Sequence, residues 1–256
     1  MNDDVANINR LAWNEEVLRG NYWSRIATEE EIRKAQNGKP EIMITPDSFV
    51  PFSWIEDAKD KRVLLLAGAG GQQTPIMAAF GSDVTTVDQS DGQLNQDRIA
   101  LERYSLKADL IQADIRKTGL QSDAFDFIIN PVSFNFIEDV MPAYREVHRI
   151  LKKGGYFLFG IANPILYAFD ERCQERKLKI KYTLPYSDTT SLSEKQLQKR
   201  IKTKDTIEFS HTLDSIIGGL LKTGFVIEDF YSDRAASEPT DSFVHDSYLA
   251  FKARKI

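Results

Sequence analysis

Cysteine is almost missing from this chain. Cys173 is the only one in 256 residues, which excludes an intrachain disulfide and a cysteine metal cluster. Its surroundings, "DERCQERK", read as the surface of a helix, and no metal is expected. Long apolar runs are missing too. No window approaches the roughly 18 apolar residues that span a bilayer, and the N-terminus "MNDDVANINR" carries two early aspartates and no apolar leader stretch. The chain therefore reads as cytoplasmic, with no membrane partner. Positive charge is not in excess: the formal net charge is -5 and the sequence pI about 5.4. Such a molecule is repelled by a polyanion and lacks a basic footprint, so no nucleic-acid partner is expected. Repeats and low-complexity tracts are also absent. What remains, 42% hydrophobic and 28% charged residues, suits one large globular domain with a full core.

From Val63 onward, apolar runs suited to buried strands alternate with segments of helical period, the pattern of an open α/β sheet. Strands are expected at Val63–Ala67, Val84–Asp88, Asp109–Gln112, Phe125–Asn130, Tyr156–Ile161, Val226–Tyr231 and Ser247–Lys252. Helices are expected near Thr74–Phe80, Gly92–Tyr104, Asp139–Leu151 and Leu213–Thr223. "LKKGG" and "LKTGF" place lysine in a last helical turn with glycine just beyond it. The final two strands are joined by the polar "SDRAASEPTDSFVHD" rather than by a helix, so they should form an antiparallel hairpin. The expected fold is a Rossmann-like, doubly wound, seven-stranded and mostly parallel sheet with an antiparallel terminal hairpin. Residues 1–60 form a helical cap, 61–162 the cofactor-binding core, 163–210 an insert on the substrate side, and 211–256 the last helix and hairpin. Long segments outside the alternation are usually lids or binding elements. On that reading Trp13, Tyr22 and Trp23 of the cap, and Tyr182 and Tyr186 of the insert, are candidates for substrate contact, with packing as the competing role.

The stretch "RVLLLAGAGGQQTPIMAAFGSDVTTVDQS" carries the chemistry. Its turn, Ala67-Gly68-Ala69-Gly70-Gly71, is built of small residues, which lets backbone approach a ligand closely at a helix N-terminus. Asp88 follows Gly68 by about 20 positions and ends the neighbouring strand, where a carboxylate can accept bonds from both hydroxyls of a ribose. The pair implies an adenosine-containing cofactor. A dinucleotide fingerprint needs a third glycine where Gln73 stands, and the absence of Gly-Lys-Ser/Thr excludes a P-loop.

By these motifs, the region from about Lys61 to the C-terminus resembles the class I S-adenosylmethionine-dependent methyltransferases. "VLLLAGAGG" matches the family's first motif, with Ala67 and Ala69 at two of its three glycines and Leu65 where an acidic residue is usual. "VTTVDQS" is similar to the second motif, which implies Asp88 as ribose ligand and Gln89 beside the adenine. "LIQADIRK" implies that Asp114 and the Ile115 backbone N–H meet the adenine. "FDFIINPVSFNFIED" implies that Asn130, Pro131 and Ser133 lie beside the methionine half and the transferable methyl. "HRILKKGGYFLFG", "LLKTGFVIEDF" and "SYLAFKARK" resemble the family's fifth strand, last helix and hairpin. A looser resemblance reaches a bacterial small-molecule group with Gln-Gln after the turn, Asn163-Pro164 after the fifth strand, and the Leu184–Ser187 insert "LPYS". Asn163 joins the substrate candidates on that basis.

The resemblance implies methyl transfer from S-adenosylmethionine, leaving S-adenosylhomocysteine; the acceptor is expected to be a small neutral or cationic metabolite, whose identity the resemblance does not supply. Alignment and desolvation supply much of such catalysis, with a base needed only when the nucleophile must lose a proton. Ser133, His211 and His245 are the candidates for catalytic contact, the histidines because imidazole titrates near neutrality. A non-catalytic cofactor-binding protein and an NAD-dependent oxidoreductase are the alternatives.

Overall fold

A computed structural model describes residues 2–170, 178–236 and 239–256. Cys173, expected on a helix surface, lies outside the described residues. The α/β alternation builds a seven-stranded sheet of order β3-β2-β1-β4-β5-β7-β6. Its strands are β1 (Arg62–Leu66), β2 (Asp83–Asp88), β3 (Asp109–Gln112), β4 (Phe125–Asn130), β5 (Leu151–Ala162), β6 (Phe225–Asp233) and β7 (Tyr248–Lys255). The first five pair in parallel, while β7 runs antiparallel between β5 and β6. The expected hairpin is therefore inserted with its last strand inward.

Apolar side chains alternate to both faces of the central strands, and a core lies on each. Leu64 and Ile128 face one in which Phe134, Tyr144, Phe157 and Phe159 stack and cross as an aromatic block. Leu65 and Ile129 face the other, completed by Trp54, Ile32 and Met77. Helices α1 (Asn2–Arg19) and α2 (Glu29–Gln36) precede the sheet, α3 (Gln73–Phe80), α4 (Asp91–Tyr104) and α5 (Met141–Ile150) lie within it, and α6 (Asp188–Ser191), α7 (Glu194–Thr203) and α8 (Gly219–Lys222) follow β5.

Two local expectations change. "LKKGG" does not end a helix: Leu151 already pairs with Phe125, Lys152 forms an ion pair with Asp126, and Gly154 at φ 80° bends the strand behind a register shift. The apolar strand partner outweighs the lysine-glycine signature. The last helix opens as a π-helical turn over Asp214–Gly218, with Thr212 Oγ accepting from Ser215 N at 3.0 Å. There the Tyr144 hydroxyl donates to the Ile216 carbonyl, and a Cβ on Gly219 would sit 2.7 Å from Met141 Sδ. Close packing on α5 thus coincides with the widened turn.

The extended segment before the sheet is held against it by glycine. Gly160 lies within β5, and a Cβ there would fall 1.8 Å from the Ile44 carbonyl oxygen. That oxygen accepts from Val132 N at 3.2 Å, which lays residues 43–46 over the carboxyl ends of β4 and β5.

Candidate functional site

The carboxyl ends of the parallel strands open into one cavity of about 550 Å³, within the range that holds a small ligand. At one end stands Asp88, the last residue of β2, only 8% exposed. Its Oδ1 accepts the Ser90 N–H at 2.8 Å, and no cation pairs with it among the described residues. Burial pushes its pKa up to about 7 against the opposing bonds from Ser90 and Gln89. A desolvated carboxyl facing a cavity is costly to ionise and makes Asp88 a candidate binding group. Gln89 and Ile115 line the same end, with Asp114 clamped by Arg116 at 2.5 Å.

The glycine-rich turn divides its labour in a way the sequence conceals. Ala67 and Ala69 face the cavity, at φ 49° and 53°, in the left-handed region that usually takes glycine. Gly70 and Gly71 face the protein: their N–H groups donate to Gln93 Oε1 at 3.0 Å and Asp97 Oδ1 at 2.7 Å on α4. A Cβ on Gly70 would lie 2.3 Å from the Gln93 carbonyl oxygen. Asp97 is itself buried and pushed up to about 7 by desolvation. Gly68 packs on Leu65, and none of the three glycines lines the cavity.

Beyond β4, Pro131 and Ser133 line the cavity while Asn130 sits behind them, fully buried. Asn130 Nδ2 donates to Ser133 Oγ at 3.0 Å, and Ser133 Oγ donates to Asn130 Oδ1 at 2.8 Å. Ser133 is thereby held in place by an amide, with no base beside it among the described residues. Neither histidine lines the cavity. His211 is buried with Nε2 2.8 Å from the Phe134 carbonyl oxygen, and desolvation lowers its pKa; His245 is exposed in the hairpin loop.

The N-terminal segment covers this end of the sheet. Trp13 and Trp23 line the cavity, Trp13 meeting Phe136 edge-on at 5.3 Å. Tyr22 does not line it and is 53% exposed. Polar side chains fix the cover. Asn9 Nδ2 donates to the Phe136 and Ile207 carbonyls, and Asn9 Oδ1 accepts Ile207 N at 2.7 Å. Asn14 Oδ1 accepts from Ser90 Oγ and Gly92 N at the start of α4.

The far wall comes from the segments after β5. Tyr182 and Tyr186 line it, edge to face at 4.9 Å, and Tyr186 donates to Asp188 Oδ1 at 2.5 Å. Asn163 stays outside, capping the turn Pro164–Ala168. That turn delivers Tyr167, whose hydroxyl donates to Glu208 Oε2 at 2.9 Å. Desolvation raises the pKa of both partners. Residues missed by the sequence reading are numerous here: Met43, Thr45, Asn135, Tyr167, Arg200 and Glu208 all line the cavity. Gly160 inside a strand is the one available signal for the 43–46 segment, since glycine there marks a close backbone approach. Nothing local distinguishes Glu208 or Asn135.

Comparison with known proteins agrees with this geometry. Residues 65–159 match the family described as methyltransferase domain. The chain is 36% identical over 258 residues, all of both chains, to the protein named uncharacterized methyltransferase YbaJ from Bacillus subtilis (strain 168). An S-adenosylmethionine dependent methyltransferase from Mesorhizobium loti superposes with TM-score 0.62 at 22% identity, covering 79% of this chain and 94% of that one. The 1,6-didemethyltoxoflavin-N1-methyltransferase of Burkholderia thailandensis, solved with 1,6-didemethyltoxoflavin and S-adenosylhomocysteine, superposes with TM-score 0.60 at 14% identity over 100% of this chain and 90% of that one.

Proposed function

This chain belongs to the class I S-adenosylmethionine-dependent methyltransferases, and from that premise we propose that it methylates a small-molecule acceptor held in the distal half of the cavity. The observation that carries the proposal is the continuity of one cavity from a buried carboxyl at Asp88, without a cation beside it among the described residues, to the aromatic wall of Tyr182 and Tyr186. Its volume suits a nucleoside-sized ligand with a small neighbour.

The residues present fit S-adenosylmethionine. In this reading the Asp88 carboxylate accepts the ribose hydroxyls, and Ala67 and Ala69 are the thin wall against which the cofactor lies; Gln89, Asp114 and Ile115 take the adenine end, Pro131 and Ser133 the methionine end, all of them lining the same cavity. Bound there, the cofactor supplies an electrophilic methyl group on a sulfonium. The chain contributes orientation and exclusion of water: Trp13, Trp23 and Met43 roof the cavity, and Asn130 holds Ser133 and the Pro131 loop in one conformation. In this reading residues 1–60 are the cap, 61–162 the cofactor-binding core, 163–210 the acceptor side, and 211–256 the closing helix and hairpin. The Burkholderia thailandensis methyltransferase was solved holding 1,6-didemethyltoxoflavin together with S-adenosylhomocysteine, which supports a small acceptor for this chain.

The test is transfer from S-adenosylmethionine carrying a labelled methyl group, with a small-molecule extract as acceptor pool and mass-spectrometric identification of the product. Label on a small molecule is the expected result. Label confined to protein or nucleic acid would refute the acceptor class.

A further inference from the structure

One polar atom in the cavity wall lacks a partner. Asn135 is 6% exposed, lines the cavity from the turn after β4, and its Oδ1 accepts no hydrogen bond. A buried acceptor left open costs free energy, so a site that keeps one is built for a donor that arrives with the ligand. The open atom is the amide oxygen. Tyr167, which lines the same cavity, gives its hydroxyl proton to Glu208 at 2.9 Å, so toward the cavity it has only lone pairs to offer.

Glu208 is in turn committed. Its Oε1 accepts the Thr206 hydroxyl at 3.0 Å, and its backbone N–H is held by Asp188 Oδ2 at 2.8 Å, which locks the carboxylate under Tyr167. The cavity wall therefore presents two acceptors, Asn135 Oδ1 and a lone pair of Tyr167. Resting on the methyltransferase reading above, we propose that Asn135 and Tyr167 form an acceptor subsite that admits the methyl acceptor only through an O–H or N–H donor, with Glu208 as the positioning residue that fixes Tyr167 as an acceptor. The substrate class is then an alcohol, phenol or amine, and a product whose last O–H or N–H has been replaced by methyl is bound less well. Such a site rejects a molecule lacking the donor because its own buried oxygen then goes unpaired.

The experiment uses the full chain saturated with S-adenosylhomocysteine. Three probe pairs are titrated by ligand-observed NMR: phenol with anisole, catechol with veratrole, and aniline with N,N-dimethylaniline. Both members of each pair have the same aromatic surface for Tyr182 and Tyr186, so their difference isolates the donor. At least one donor should bind about tenfold tighter than its methylated counterpart. The preference should vanish in Asn135→Leu and shrink in Tyr167→Phe, each compared only after retaining S-adenosylhomocysteine. Glu208→Leu releases the Tyr167 proton to the cavity and should collapse or invert the preference, because the ethers then gain a donor. Glu208→Gln still accepts that proton through its amide oxygen and should keep the preference. A glutamate with a purely structural role would weaken both members of every pair alike. Equal binding within all pairs, no binding of any probe, or a preference that survives Asn135→Leu overturns the proposal. Failure of S-adenosylhomocysteine itself to bind is a separate outcome: it removes the cofactor reading and the subsite with it.

Discussion

Replacing Asp88 by asparagine should move stability and cofactor binding in opposite directions. The wild-type carboxyl is raised from 3.8 to about 7 by burial, and at roughly 1.4 kcal/mol per unit the ionised form is disfavoured in the ligand-free protein by at most about 4 kcal/mol. Water entering the cavity screens part of this, so about 2 kcal/mol is the working figure. Asp88→Asn removes the charge while an amide oxygen still accepts the Ser90 N–H. Above pH 7 the ligand-free variant should therefore unfold about 4–8 °C higher than wild type. The sign follows from proton binding. Between about pH 4 and pH 7 native Asp88 holds a proton that the unfolded chain has released, so wild-type stability falls as pH rises through that window. The variant does not share the fall, and its advantage should be near zero at pH 4 and complete above pH 7. Binding goes the other way. A neutral amide loses the charge-assisted bonds to the ribose hydroxyls, and S-adenosylhomocysteine should bind about 1.5–3 kcal/mol more weakly, roughly 10- to 150-fold. Wild-type affinity should also climb with pH up to about 7, because the ligand selects the ionised carboxylate. Scanning calorimetry across pH and isothermal titration check all of this. A variant that is less stable at pH 8, or that binds S-adenosylhomocysteine as wild type does, refutes the assignment of Asp88.

The turn offers a contrast: Gly70→Ala forces a methyl to 2.3 Å from the Gln93 carbonyl oxygen and should cost about 3 kcal/mol or more in urea denaturation. Ala69→Gly, at φ 53°, relieves left-handed strain of about 1–2 kcal/mol while loosening the unfolded chain by about 0.4–1 kcal/mol, so stability should rise by about 0–1.6 kcal/mol. Asn9→Ala removes three bonds that tie α1 to Phe136 and Ile207; about 2–4 kcal/mol of stability should be lost, with hydrogen exchange at the Ile207 amide accelerated most. Deleting residues 1–30 takes away Trp13 and Trp23 from the cavity and should weaken S-adenosylhomocysteine binding and slow turnover together; unchanged values would show that the cap is packing alone.

Most of the sheet was legible because each strand carries its own signal, and β3 and β4 fall at their expected residues. The place of Asp88 at the end of β2, lining the cavity, was legible for the same reason, since it is marked by a spacing within one βαβ unit. The glycines misled because a small residue is demanded equally by a ligand and by a neighbouring helix. At Gly70 the helix is what stands there, and the ligand side is left to two alanines in a glycine conformation. The far wall was opaque for a different reason. Tyr167, Glu208 and Asn135 stand on three separate segments and meet only through the fold, so no window of sequence contains their relationship. His211 drew attention by residue type, yet what decides its role is the Phe134 carbonyl and the burial around it. A carboxylate beneath a tyrosine is a fact of tertiary structure, and in the proposed subsite it is what fixes Tyr167 as an acceptor.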